Sequence, residues 1–252
     1  MLMSATHMWA LYAREVKRFQ KLWIDTVFTP IVTVVLYLAV FGVLVGDQTV
    51  GSVSFPAFVY SGLMAMTLVN SSFANPAFAL IIAKNVGTII DLQLVPIHPW
   101  RIGASYAFAA LTRGFLTILG ATLLTGWFVP GLGLAHPIVL LVSLVVTGMQ
   151  FGLMGVAFGM WVKNFEAMTF VQTFVMQPMI FLAGVFYPIS TLSEPWHTLS
   201  LFNPMHHNVN LIRFGFTGYS DISPWISFGV AVCLSFVLLF VMTRIVHKTL
   251  SN

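Results

Sequence analysis

Residues 57–83 read AFVYSGLMAMTLVNSSFANPAFALIIA, twenty-seven positions without one charge. A helix needs about 20 apolar residues to cross a hydrocarbon core of about 30 Å, so this run is long enough to span a bilayer. Comparable runs recur at 24–45, 102–129, 138–162, 167–187 and 225–246, which predicts six spanning helices in an all-α membrane protein. Little sequence is left over, and residues 1–252 read as a single membrane domain.

The composition agrees. Only 7% of residues are charged and 58% are hydrophobic, with a mean hydropathy of +0.93, too few polar side chains to clothe a soluble domain of this length. The single cysteine, Cys233, lies inside an apolar run, which excludes a disulfide framework or thiolate cluster. A net charge of +4 does not signal nucleic acid here, because the basic residues sit between apolar runs and report orientation. If the N-terminus is cytoplasmic, the inner segments hold Arg14, Lys17, Arg18, Lys21, Lys84, Arg101, Lys163, Arg244 and Lys248, and the outer segments hold Arg213. Lys and Arg are retained on the cytoplasmic side, so both termini are predicted inside. Arg113 falls within the third run; either it faces protein, or that helix begins near Phe108 and the side chain snorkels to the headgroups.

Residues 1–23 carry no apolar core followed by a small-residue cleavage site and are expected to remain on the protein. At 100° per residue, Met8, Tyr12, Val16, Phe19 and Trp23 share one arc, with Arg14, Lys17, Arg18 and Lys21 roughly opposite. Such a helix lies along a membrane surface or forms the solvated start of the first span.

Several chemistries are missing. No Gly-Lys pair occurs, so there is no phosphate-cradling loop for ATP hydrolysis. His206-His207 is followed by Asn208 and Val209, not by the spacing of a zinc protease. Ser61-Gly62 lacks the preceding glycine of an intramembrane serine protease. Asp25, Asp47, Asp91, Glu166, Glu194 and Asp221 all lie at ends or in loops, where they would not bind a coupling ion inside the membrane. The polar residues left within the spans are Asn70, Ser71, Ser72, Asn75, Gln150, Gln172 and Gln177. They either bond helices together or line a pathway. Asn70, Phe73 and Asn75 on the second span, with Gln172, Met176 and Gln177 on the fifth, are the candidate pathway residues. Pro76 is expected to kink the second span.

Residues 188–224 are the one long outer segment, and Trp196, Leu199, Leu201, Phe202, Leu211, Ile212, Phe214 and Phe216 make it too apolar for a solvated loop. Pro188 and Pro195 break the backbone, Thr191 or Ser193 can cap a helix, and Asn203-Pro204 supplies a reversal. This predicts a re-entrant pair of short helices between the fifth and sixth spans, burying its apolar residues and acting as an external gate through Glu194, Asn203, Pro204, His207 and Arg213. Arg213 then pairs with Glu194, Asp221 or loop carbonyls; the alternative is an anchor at the headgroups.

Taken in order, these pieces resemble the ABC-2 type membrane permeases over nearly the whole chain. The stretch LAGVFYPISTLSEPWHTLSLFNPMHHNVNLIRFGFTG at 182–218 carries most of the likeness, with its Gly-Val-Phe-Tyr exit, Asn203-Pro204 and Arg213 nine residues after Pro204. Pro30, Leu36-Tyr37, Phe41-Gly42, Arg113-Gly114 and KNVGTIIDLQLVPIHPW at 84–100 support it. His207, where relatives often have an aromatic, and Ser193-Glu194-Pro195, in place of a Leu-Pro, depart from the pattern. The resemblance implies a homodimer in the bacterial inner membrane, embedded in lipid, that works with two copies of a separate ABC ATPase subunit. ATP and Mg would be bound on that partner, and this chain would hold no cofactor. A lipid-like, drug-like or glycan substrate would be exported along the dimer axis. It also places a cytoplasmic coupling segment at 84–101, with a short helix over 85–94 that presents Ile89, Ile90, Asp91, Leu92 and Leu94 and stops before Pro96. An integral membrane lipid-modifying enzyme using His206, His207 and Glu194 as acid-base groups is the alternative.

Overall fold

The computed structural model describes residues 2–21, 24, 28–45, 48–94 and 97–251; Trp23, Asp25, Asp47 and Pro96 lie outside them. The chain is mostly helical: α1 (Leu2–Lys21), α2 (Thr29–Val45), α3 (Phe55–Val86), α4 (Ile90–Leu94), α5 (Pro99–Thr125), α6 (Pro137–Trp161), α7 (Phe165–Phe170), α8 (Gln177–Phe181), α9 (Trp196–Phe202), α10 (Pro204–Thr217) and α11 (Pro224–Ser251). A two-stranded antiparallel hairpin, Thr49–Val50 with Val53–Ser54, leads into α3.

Proline sets many of the starts. Pro56, Pro99, Pro137 and Pro204 occupy first turns, where the missing N–H has no intrahelical partner to lose and φ is already helical. Glycine sets two ends: Gly87 (φ 83°) and Gly218 (φ 74°) adopt the left-handed conformation that closes α3 and α10.

Among the described residues, α3, α5 with the 3₁₀ turn that extends it to Phe128, α6 and α11 are long and apolar enough to cross a membrane, and the apolar helix at 29–41 is shorter. The second, third, fourth and sixth predicted runs thus correspond to α3, α5, α6 and α11. α3 remains helical through Pro76. The fifth run is not one plain helix to residue 187. α7 passes into a π turn at Val171–Met176 and then α8, and helix ends at Phe181.

The centre is the α3–α6 pair, flanked by α5, α10 and α11. α6 comes close because it has glycine at 148, 152, 155 and 159. A Cβ on Gly155 would stand 2.3 Å from the Phe73 carbonyl oxygen, one on Gly159 2.9 Å from that of Ala77, and one on Gly152 2.9 Å from the Ala107 Cα. Small residues at such spacing let backbones touch, which in lipid replaces the hydrophobic drive available in water. One buried cluster joins α3, α6 and α10 through Phe58, Tyr60, Leu63, Phe151 and Ile212. A second joins α1, α4, α5, α6 and α11 through Leu11, Leu92, Tyr106, Val156 and Met242.

α1 packs against α5 with a face turned from the expected arc: of Met8, Tyr12, Val16 and Phe19 only Phe19 is fully buried, and the others are half-buried. Leu11, Glu15 and Phe19 are its buried residues, and Trp9 is exposed. Glu15 is tolerated there because Arg18 reaches it at 2.8 Å and Arg14 at 3.6 Å. Burial still pushes its carboxyl above the ordinary range, with Arg18 and Arg14 pulling the other way.

Candidate functional site

α10 is a polar helix enclosed by α3, α6 and α11. Asn203 caps it by accepting from the Met205 N–H at 3.0 Å, while its Nδ2 donates to the Met179 carbonyl at 2.6 Å. Asn208 fixes the depth of this elbow: Thr147 donates to its Oδ1 at 2.9 Å, and its Nδ2 donates to Gln150 at 3.3 Å. Those partners lie about 15–20 Å along α6 from Pro137, at 1.5 Å rise per residue. The other end of α10 is tied to the start of α6, where the Ala135 and His136 N–H groups donate to Phe216 and Gly215.

Each polar side chain of α10 has a partner. His206 Nδ1 donates to the Ala183 carbonyl at 3.1 Å. His207 Nε2 donates to Leu201 O at 3.0 Å, which leaves Nδ1 of the neutral ring to accept from Ser227 at 3.4 Å. Asn210 donates to Ile222 O and to Ser227, both at 2.9 Å, and accepts from the Asp221 N–H at 2.8 Å.

Arg213 is the best-held of them, with 0% exposure. Its Nη2 donates to Gly184 O at 2.7 Å and Val185 O at 3.3 Å, Nη1 meets Asp221 Oδ2 at 3.3 Å, and Nε donates to Ser61 at 3.4 Å. The guanidinium lies 3.6 Å from the centre of the Phe58 ring, an arrangement favoured by the ring quadrupole. The headgroup-anchor alternative therefore fails. Gly62 makes the room, since a Cβ there would stand 2.3 Å from Val185 O. Glu194 is not a partner; it is exposed and binds His197 at 3.3 Å and Thr198 at 2.7 Å. Those bonds, the Thr198 hydroxyl first, hold its carboxyl below the ordinary range.

The 188–224 segment thus divides. α10 buries its side chains, but on α9 Trp196, Leu199 and Phe202 remain exposed, against the expectation that the pair hides its apolar residues together. Nor do Thr191 and Ser193 cap a helix by side chain. Ile189–Thr191 is a 3₁₀ turn, and the carboxylate of Glu194 accepts from the Thr198 N–H of α9 at 3.3 Å.

At the opposite end, α3 continues through Asn85 to Val86, so the expected helix over 85–94 shrinks to α4. Ile90, Asp91 and Leu94 are exposed, Leu92 is buried and Ile89 packs against the core. Val86 is exposed beside them. α1 adds a polar knot: Arg18 donates to the Asn75 carbonyl at 3.0 Å and to its side-chain oxygen at 3.1 Å, and Arg113 donates to that same oxygen at 3.3 Å. Arg113 therefore faces protein. Arg14 donates to the Tyr106 hydroxyl at 2.7 Å, so Arg14 and Arg18 both bond to the bundle, although Arg14, like Lys17 and Lys21, stays exposed.

The candidate pathway residues do not share one surface. Phe73 packs on Phe158 and, with Met176, lies in the core; Asn75 is buried beneath α1. Asn70, Gln172 and Gln177 are half-buried, and Asn70 lines a small cavity with Thr33, Val34 and Leu63. His206 bonds the Ala183 carbonyl through Nδ1 while its Nε2 is buried without a partner, His207 bonds Leu201 O and Ser227, and Glu194 bonds His197 and Thr198, so the structure does not bring Glu194 together with the two histidines. Sequence reasoning missed Glu15 within the α1 face, the asparagines of α10 and the glycines of α6. The glycines were detectable as two pairs spaced by four.

A sequence model described as ABC-2 type transporter matches residues 6–217. The inner membrane transport permease YadH of Escherichia coli K12 is 31% identical over 226 residues, covering 88% of each chain. Nodulation protein J is similar at 27% over 217 residues in Rhizobium leguminosarum bv. trifolii, covering 83% of this chain and 79% of that one. The protein of that name from Rhizobium meliloti is 24% identical over 252 residues, covering 96% and 93%.

Proposed function

This chain belongs to the ABC-2 type transporter family, and we propose that it is the membrane-spanning subunit of an ATP-driven exporter in the bacterial inner membrane. It is a permease and not an enzyme, in keeping with its family and with the relative named as an inner membrane transport permease. In this proposal α2, α3, α5, α6, the helix at 165–181 and α11 all cross the bilayer, with both termini cytoplasmic. Two copies associate, the exposed residues Leu36, Val40, Phe170 and Phe174 offering apolar surface for that contact or for lipid. Two ABC ATPase subunits dock from the cytoplasm and carry the ATP and Mg. A lipid-like, drug-like or glycan substrate passes outward near Asn70, Gln172 and Gln177. The 188–224 segment re-enters the outer leaflet as a gate, since Asn203-Pro204 sits beside the middle of α6 and irregular backbone at that depth must be covered by protein.

The observation that carries the energy-coupling part is α4. It leaves Ile90 and Leu94 exposed beside Val86, at the end of the bundle where Lys84, Lys163 and Lys248 also gather. Exposed apolar side chains on a helix that is itself anchored by buried Leu92 are what a soluble partner would cover. Co-expression with a Walker-motif ATPase encoded beside this gene, followed by purification in mild detergent, tests it. A two-to-two complex is expected, lost in Ile90→Arg while the permease itself still purifies; an unchanged complex in Ile90→Arg refutes the α4 dock. Labelling of a Gly87→Cys variant, with Cys233 replaced, from outside intact cells would refute the orientation.

A further inference from the structure

Between the C-terminal halves of α6 and α11 runs a crevice of about 810 Å³. Its walls are apolar, with Phe158, Val241 and Ile245 among them, and its remaining lining includes three lysines, Lys84, Lys163 and Lys248. Among the described residues no carboxylate lines it. Lys84 is fixed in place: its Nζ donates to the Met160 carbonyl at 2.5 Å and to that of Val162 at 2.9 Å, over the last turn of α6. An ammonium has three N–H donors, so one remains for a ligand. Lys163 and Lys248 are exposed, and Trp161, an exposed indole of the kind that sits at headgroup level, completes the rim.

We propose that this crevice binds an anionic phospholipid, its phosphate among Lys84, Lys163 and Lys248 and an acyl chain along Phe158, Val241 and Ile245. Two features select this occupant. Clustered ammonium groups without a carboxylate demand a negative headgroup, and basic pockets between spanning helices are built for that chemistry. The apolar walls would be left uncovered by a free anion. The candidate pathway residues do not line the crevice, so the proposed lipid site stands apart from them. Seated there, it ties the C-terminal half of α11 to α6. The site depends neither on the ATPase partner nor on the direction of transport.

The test is lipid retention by the purified full chain in nanodiscs of phosphatidylcholine mixed with phosphatidylglycerol, read by native mass spectrometry. Each lysine near an anionic headgroup contributes about a fivefold preference, so Lys163→Gln with Lys248→Gln should weaken phosphatidylglycerol retention about thirtyfold. Lys84 is left in place because it holds the end of α6. Lys17→Gln with Lys21→Gln, an equal loss of charge on α1, should leave retention unchanged. Val241→Trp should expel the lipid with no change of charge by filling the crevice. Equal retention of phosphatidylcholine, or unaltered retention in the Lys163/Lys248 variant, overturns the proposal. So does displacement of the lipid by an ATPase subunit, which would make the crevice a protein dock.

Discussion

Replacing Arg213 with methionine should destabilise the protein by about 3–5 kcal/mol, the usual cost of removing one partner of a buried ion pair. The structure accounts for that size. At 3.3 Å from Asp221, with side-chain exposures of 0% and 1%, the attraction is ~5 kcal/mol at an effective dielectric of about 20. The Gly184 and Val185 carbonyls lose their donor as well, at about 1–3 kcal/mol for a buried acceptor left unpaired. Methionine supplies packing against Phe58 but no donor, and among the described residues Asp221 then keeps only Tyr219, at 3.1 Å, as a side-chain donor. The assay is thermal unfolding of the purified permease in detergent, on a four-member cycle of wild type, Arg213→Met, Asp221→Asn and the double variant. If the cost arises from stranding a buried carboxylate, the double variant recovers most of it, because exchanging a whole buried pair for neutral groups is often nearly free. A double variant as unstable as the sum of the singles would refute this account, as would an Arg213→Met protein of wild-type stability. Lost export in an Arg213 variant is therefore no measure of gating until stability has been matched. Asn203→Ala is the cleaner gate probe.

Gly155→Ala should cost about 1–3 kcal/mol of thermal stability, since its Cβ would meet backbone 2.3 Å away. Gly229→Ala on α11, with nothing within 4 Å of its Cβ, should instead be neutral or stabilising by up to about 1 kcal/mol; equal effects of the two would refute the seam. Glu194, held below its ordinary pKa by Thr198 and His197, adds local order to α9 that is present above the unfolded value of 4.5 and lost as pH falls through the lower folded value. Hydrogen-exchange protection over 196–202, taken relative to the intrinsic rate at each pH, should fall across that acid window in wild type and stay flat in Glu194→Gln.

The long uncharged runs were legible because lipid imposes a crude rule, about 20 apolar residues per crossing, and α3, α5, α6 and α11 obey it. The expected end of the helix at 165–181 ran too far, because the apolar run continues past Phe181, where helix stops; beyond it Gly184 turns with a positive φ of 77°, and the Gly184 and Val185 carbonyls accept from Arg213. For Arg213 the sequence narrowed the partners to two acids and the loop carbonyls, and three-dimensional packing chose Asp221 with the carbonyls. Glu15 was invisible as a buried residue, since a carboxylate among apolar neighbours looks like a surface residue until Arg14 and Arg18 are seen to fold over it. The exposed face of α4 could be anticipated from Ile90 and Leu94, but the break at Gly87 that shortens the helix depended on a turn that glycine permits without requiring.

The glycines of α6 also divide the protein mechanically. Where two helices meet through side chains, a change of rotamers can accommodate a slide of an ångström or two. Where they meet backbone to backbone, as α6 does with Phe73 and Ala77 of α3 and with Ala107 of α5, there is no side chain to move aside. Those three helices are therefore expected to move as one body. Any relative motion is then expected in parts outside that seam, among them α2, the interrupted helix at 165–181 and α1, which rests on those helices through the bonds of Arg14 and Arg18.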